Sequence, residues 1–341
     1  MVESFVDKNP SIETCFRSII LLGRNVASYK FALAKSLLEI ETDNPLIKIE
    51  DLALPFSKNI AEHLLISDKQ ITSKSSTFLD FCRKYNDEEI DQERLRTETS
   101  KLGFVNVIDA FHNVANSESP YRFFEDVRKS DNGIILTDDF YRLINSKQKD
   151  NFNFEIESRW RLWETAISLN ISSNLLIVEN DTTTDKLFVS EGENKRKDVT
   201  SSRDALNGYQ KGKCFYCYKD ILLTQGDDSS CDIDHFFPHI LKKHKLNNID
   251  GIWNLVLSCK SCNRGNDGKF HRIPNYIFLE RLNKRNNYYI QSHHPLRETI
   301  MNQTGKNVKD RHKFLQNYYN NARDIIPVEP WEPKEIYEGK F

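Results

Sequence analysis

CFYC (Cys214–Cys217), DIDHFFPH (Asp232–His239) and WNLVLSCKSCNRGNDGK (Trp253–Lys269) stand within one stretch of the chain. Two Cys-x-x-Cys pairs, Cys214/Cys217 and Cys259/Cys262, bracket the pair Asp234–His235. Each Cys pair makes a tight turn that aims two sulfurs at one point, and four thiolates form a tetrahedral site suited to Zn²⁺. The pairs are 41 residues apart, more than in a compact finger, so the expectation is an insert clamped at its base by a structural zinc. Four cysteines leave zinc no open position from which to activate water. Any chemistry falls to the residues the clamp braces.

Cys231 to Phe236 alternates as a strand does and then meets Pro238. Leu255 to Leu257 reads as a second short strand, and a helix can open at Lys260 and run through Cys262 and Asn263. With these elements in this order, the stretch resembles the HNH endonuclease family and its ββα-metal fold, in particular members framed by a four-cysteine zinc site. The resemblance covers Cys214 to Lys269 and leaves the N-terminal half unplaced. It implies that His235 is the general base and that Asp234 binds a catalytic Mg²⁺ or Mn²⁺ ion. It implies that Asn254 pins the loop carrying the histidine, and that Asn263 is the last metal ligand, a position that is His in many members. Arg264 and Lys269 fall where basic residues would hold phosphate. Many members carry a Lys three residues after the last motif position, where this chain has Asn266. His239, just after the motif, is a further candidate contact for phosphate or a metal ligand.

General chemistry agrees with these roles. A phosphodiester is anionic and repels hydroxide, so a divalent cation must offset charge in the transition state. Oxygen ligands suit a hard ion. A neutral imidazole with a pKa of about 6.5 can take a proton at cellular pH. The resemblance implies a DNA substrate cleaved to a 5′-phosphate and a 3′-hydroxyl. It also suggests restriction-like defence against phage or plasmids, beside an ATPase or another defence-system partner. Two alternatives stand beside this: a non-catalytic zinc module that binds nucleic acid or a partner, and an HNH nuclease acting on RNA.

Charge separates the two halves. From Ser201 onward there are 22 Lys and Arg against 16 Asp and Glu, whereas the first 200 residues carry 26 against 34. Between Lys242 and Arg323 the balance is 16 to 5, a basic block suited to a polyanion. The seven cysteines are odd in number and clustered, which argues against a disulfide framework and for a reducing cytoplasm. No apolar run approaches the roughly 18–20 residues a membrane span needs, and MVESFVDKNPS lacks a secretory pattern. The expected location is cytoplasmic, with no membrane partner.

The expected fold is α+β: a mainly helical domain over 1–170, a β-hairpin and linker over 171–200, the nuclease domain with a basic helical extension over 201–326, and a Pro-rich tail over 327–341. Ser11 caps a long helix expected to run to Glu41, with shorter helices at Asn59–Ile66, Ser76–Tyr85, Asp87–Glu98 and Val105–Ala115, punctuated by Pro55 and Pro120. Ile156, Trp160, Trp163 and Ile167 share one helix face. Leu175–Glu179 and Lys186–Ser190 read as strands around a polar turn, Glu191–Lys197 as a loop, and Thr200 as the cap of the helix entering Cys214. The helix after Tyr276 carries Arg281, Lys284 and Arg285 near one face, where they could track a DNA backbone; His293 and His294 follow it. The N-terminal half is expected to supply substrate choice, partner docking or restraint of the nuclease.

Overall fold

The computed structural model describes residues 10–22, 26–42, 44–73, 75–114, 117–170, 176–191, 195–224, 229–244, 246, 248–291 and 294–339. The protein is mixed α/β with small sheets and a four-cysteine cluster. It divides into two compact units, which meet in sequence between Ile171 and Ser172. Among the described residues no helix is long and apolar enough to cross a membrane.

The N-terminal unit contains α1 (Ile12–Leu22), α2 (Tyr29–Glu39), β1 (Leu46–Lys48), α3 (Ile49–Ile66), α4 (Thr77–Asn86), α5 (Gln92–Leu102), α6 (Val107–Ala110), β2 (Asn113–Val114), β3 (Ser117–Glu118), β4 (Phe124–Asp126), α7 (Arg128–Asp131), β5 (Gly133–Leu136), α8 (Asp138–Ile144) and α9 (Lys149–Ser168). The expected helix from Ser11 to Glu41 is two helices. Ser11 Oγ does cap α1, accepting from Thr14 N at 3.2 Å. The backbone at Val26–Ser28 instead pairs with another segment: Thr72 N donates to Val26 O and Ser28 N to Gln70 O, both at 3.0 Å. Pro55 lies inside α3 rather than ending it. The proline leaves the Asp51 carbonyl without its usual i+4 donor, and Asp51 is an exposed residue.

The core of this unit is helix on helix. Ile156, Trp160 and Trp163 of α9 are buried, with Ile167 packed against the same cluster. The Trp160 ring stacks on His63 at 3.5 Å between centroids and on Phe31 at 5.9 Å. Its Nε1 donates to Gln70 Oε1 at 2.9 Å. Burial would lower the pKa of His63, but its hydrogen bonds with Glu157 and Glu164 outweigh this and raise it. Trp160→Ala removes the ring on which this buried polar network rests. It is expected to cost about 3–5 kcal/mol, read as a fall in the urea midpoint of the N-terminal unit; a shift below 1 kcal/mol would place the core elsewhere.

The C-terminal unit contains β6 (Glu179–Asp181), β7 (Lys186–Glu191), β8 (Lys195–Ser201), α10 (Ser202–Gln210), β9 (Cys231–His235), β10 (Leu255–Cys259), α11 (Lys260–Arg264), α12 (Tyr276–Gln291), α13 (Arg297–Thr304) and α14 (Val308–Ile325). Strands β6, β7 and β8 form an antiparallel meander. The expected first strand is displaced: Glu179–Asp181 pairs, Leu176–Val178 does not, and Leu175 lies outside the described residues. Of the expected loop Glu191–Lys197, Glu191 ends β7 and Lys195–Lys197 open β8, paired across Glu191 and Lys195, while 192–194 lie outside the described residues. Thr200 belongs to β8, and Ser201 takes the position before α10.

The proline-rich tail lies extended against this unit. Trp331 is 2% exposed; its N donates to Ile273 O at 2.8 Å and its carbonyl accepts from Asn275 N at 2.9 Å. Its ring meets Tyr216 edge-on at 5.1 Å, so the tail closes over the first cysteine turn.

Candidate metal centre and active site

The sulfurs of Cys214, Cys217, Cys259 and Cys262 lie within 4.8 Å of one another and are buried. Cys217 Sγ and Cys259 Sγ are 3.7 Å apart. Tetrahedral zinc with bonds of about 2.3 Å sets its sulfurs about 3.8 Å apart, so donor type and spacing both fit a metal such as zinc. The first pair is held in a turn: Cys214 N donates to Lys219 O at 2.8 Å and Tyr218 N to Cys214 O at 3.1 Å. Cys259 ends β10 and Cys262 sits in α11. Arg281 of α12 donates to the carbonyls of Phe215 and Tyr216 and lies 4.3 Å over the Tyr218 ring. Hydrogen bonding with Cys214 draws the Cys217 and Cys259 thiols down and Cys262 up, while burial pushes Cys214 up. None of the seven cysteines is in a disulfide.

Between the cysteine pairs, β9 and β10 run antiparallel, with Cys231 opposite Cys259 and His235 opposite Leu255. Helix α11 follows β10 directly. The outer edge of β10 is closed by Gln210, whose amide accepts from Leu257 N at 2.8 Å and donates to Leu257 O at 2.7 Å. A two-stranded ribbon is marginal alone; here a side chain replaces the missing strand.

Alternation along β9 puts Asp232 and Asp234 on one face. Asp234 is 6% exposed. Its Oδ2 accepts from the Tyr216 hydroxyl at 2.6 Å, and its Oδ1 is 3.2 Å from Lys269 Nζ. Burial raises the Asp234 carboxyl above its usual range against the pull of Lys269 and Tyr216. Its two oxygens thus each face a hydrogen-bond donor, the Tyr216 hydroxyl and Lys269 Nζ. Asn263 Nδ2 donates to Asp232 Oδ2 at 3.0 Å, and Arg264 Nε lies 2.9 Å from the same oxygen. The structure thus brings Asn263 to Asp232, not to Asp234. The oxygens of Asp232, Asp234 and Asn263 are donors of the type a hard divalent ion takes.

His235 meets a different carboxylate. Its Nε2 is 3.1 Å from Asp250 Oδ1. His239 Nε2 is 3.4 Å from the same oxygen, and Lys242 Nζ is 2.7 Å from Oδ2. Burial lowers the His235 pKa, outweighing the neighbouring carboxylates Asp250 and Asp234. Burial also acts to raise Asp250, but Lys242 and His235 outweigh it and hold the carboxyl below its usual value. Asn254 is fully buried. Its Oδ1 accepts from Phe237 N at 2.8 Å, and its Nδ2 donates to Phe237 O at 3.0 Å and Ile249 O at 2.8 Å.

Two expectations about basic residues are corrected. Lys269 has no exposed surface and also donates to the His235 carbonyl at 2.9 Å; it serves Asp234 from within and is not placed to hold phosphate. Arg285 is likewise fully buried, donating to the carbonyls of Ile252 and Trp253 at 3.2 and 2.7 Å, so α12 does not present its arginines to a DNA backbone. Lys284 is exposed, as are Arg264, His239, Lys242 and Lys243. His294 is buried, its Nδ1 accepting from Leu296 N at 3.2 Å, and His293 lies outside the described residues. Sequence reasoning missed Asp232, Tyr216 and Asp250. The first two had a signal, the strand alternation and the Cys-x-x-Cys interior; Asp250 had none.

No family model, curated protein or solved structure matches this chain.

Proposed function

We propose that the C-terminal unit is a metal-dependent HNH endonuclease that hydrolyses DNA phosphodiester bonds, with a zinc clamp that shapes the site and takes no part in chemistry. The observation that supports this most is the placement of His235. It ends a two-stranded ribbon, the loop after it is pinned by Asn254, which accepts from Phe237 N and donates to the carbonyls of Phe237 and Ile249, and the next element after the ribbon is the helix carrying Asn263. His235 would take a proton from water as the water oxygen bonds to phosphorus. The bond from phosphorus to the 3′-oxygen breaks, and that oxygen takes a proton from solvent, leaving a 5′-phosphate and a 3′-hydroxyl. Oxygens of Asp234, Asn263 and Asp232 would hold a Mg²⁺ or Mn²⁺ ion, which would supply charge to offset the anionic transition state. Exposed Arg264, Lys242 and Lys243 provide a basic approach for the polyanion. Restriction-like defence beside an ATPase or other partner is the setting this reading suggests.

One observation favours the non-catalytic zinc module: both oxygens of Asp234 are already engaged by Tyr216 and Lys269. The two readings part on one assay. Full-length protein incubated with supercoiled plasmid and Mg²⁺ or Mn²⁺ is expected to nick or linearise it, and chelator is expected to stop this. No cleavage of plasmid with either ion would remove the DNA endonuclease; cleavage of an RNA in its place would move the substrate.

A further inference from the structure

We infer that Asp250 is the positioning residue of His235: it accepts the Nε2 proton, and so holds the imidazole in one tautomer and one orientation with Nδ1 left as the base. This rests on the endonuclease reading for its catalytic meaning, but the contact itself does not.

An ionised carboxylate only accepts hydrogen bonds. With Asp250 Oδ1 at 3.1 Å from His235 Nε2, that nitrogen carries the hydrogen of a neutral ring and Nδ1 carries the lone pair. The second oxygen of Asp250 is fixed independently by Lys242 Nζ at 2.7 Å, so the carboxylate cannot turn freely away from the ring.

The backbone under Asp250 is built to the same end. Ile249 O is held by Asn254 Nδ2 at 2.8 Å, and that same amide holds Phe237 O, two residues after His235. One buried side chain therefore sets the spacing between the two partners. Asn248 O accepts from Trp253 Nε1 at 2.9 Å and from Gly251 N at 3.0 Å. Asn248 itself takes a left-handed φ of 64°, which asparagine tolerates better than most residues. A Cβ on Gly251 would come within 2.6 Å of the Trp253 ring, so glycine lets the turn close against the indole. His239, 3.4 Å from Oδ1 and 55% exposed, is a third group on this carboxylate, after His235 and Lys242. Its ring stands 5.6 Å from that of His235, at 68°.

The test uses full-length protein with ¹⁵N-labelled histidine, read by two-bond ¹H–¹⁵N correlation of the imidazole rings, with the His235→Ala spectrum identifying the His235 signals. Wild type is expected to show the Nε2–H form alone. Asp250→Ala is expected to mix the two forms, and Asp250→Glu to restore the single one. In plasmid cleavage, Asp250→Ala should lower kcat about 10- to 100-fold, part of the roughly 10²–10⁴ a positioned base supplies, with KM within about threefold, and Asp250→Glu should recover part of it. Zinc content confirms that each variant is folded. A wild-type ring in the Nδ1–H form, or a ring unchanged in Asp250→Ala, overturns the inference, and the wild-type spectrum decides this even if a variant fails to fold. So does a kcat within twofold of wild type, or a loss confined to KM. If wild type cleaves neither DNA nor RNA, the endonuclease reading falls while the ring forms still decide the contact.

Discussion

Cys259→Ser is expected to strip the protein of zinc and melt the ribbon while the N-terminal unit stays folded. Wild type should carry one zinc per chain by elemental analysis, and the variant less than about a tenth of that. Binding free energy at structural zinc sites reaches about 10–16 kcal/mol in finger peptides, and it is folding free energy because no such site exists in the unfolded chain. Cys259 has two functions that fail together. It is a ligand, and it is the last residue of β10, opposite Cys231. Loss of the clamp frees the turn at Cys214–Cys217, and with it Tyr216, which holds Asp234 from below. Hydrogen exchange should accordingly show lost protection across β9, β10 and α11, with α2, α3 and α9 unchanged, because their core is made within Ile12–Trp163. Full zinc in the variant, or unchanged protection in β9, would mean that the sulfur cluster does not organise the motif.

What was legible in the sequence was whatever local spacing determines. The Cys-x-x-Cys pairs needed no tertiary information to be read as one four-sulfur site, and the alternation from Cys231 and the apolar run from Leu255 sufficed to place β9, β10 and α11. The helix stripe of Ile156, Trp160 and Trp163 was legible for the same reason. Contacts that depend on where distant backbone ends up were not. Arg285 looks like a surface cation on a polar helix, yet two carbonyls beside Trp253 bury it. Lys269 looks like a displaced phosphate ligand, yet its target is Asp234, 35 residues earlier. Asp250 sits in a turn with no periodic partner, and it is the hydrogen bonds of Asn254 and Trp253 to that turn that carry it to His235. The break between α1 and α2 was hidden because the pairing that causes it comes from Gln70 and Thr72. The role of the N-terminal half was not legible because its apolar pattern reads as core packing, and its described core is apolar side chains packed around the His63–Trp160 stack.

His235→Ala is expected to abolish cleavage while leaving fold, zinc and DNA affinity in place. The expected fall in kcat is on the order of 10²–10⁴, the value of a positioned general base, with binding of plasmid to the uncleaving variant within about twofold of wild type. His235 is the right residue for this test because of how the burial is distributed. Its side chain is 18% exposed and bonds to Asp250, itself 25% exposed, so the carboxylate left behind can be solvated. Asp234 is the wrong residue. Removing it would leave the Lys269 ammonium buried without its counter-ion, and breaking a buried pair in this way costs about 3–5 kcal/mol. An inactive Asp234→Ala protein would then be explained as well by a collapsed site as by a lost metal ligand. Asn254→Ala has the same defect, since it frees two backbone segments at once. Cleavage at the wild-type rate by a folded, zinc-loaded His235→Ala protein would end the proposed mechanism. A loss of DNA binding in step with cleavage would instead make His235 a contact to the substrate and not a base.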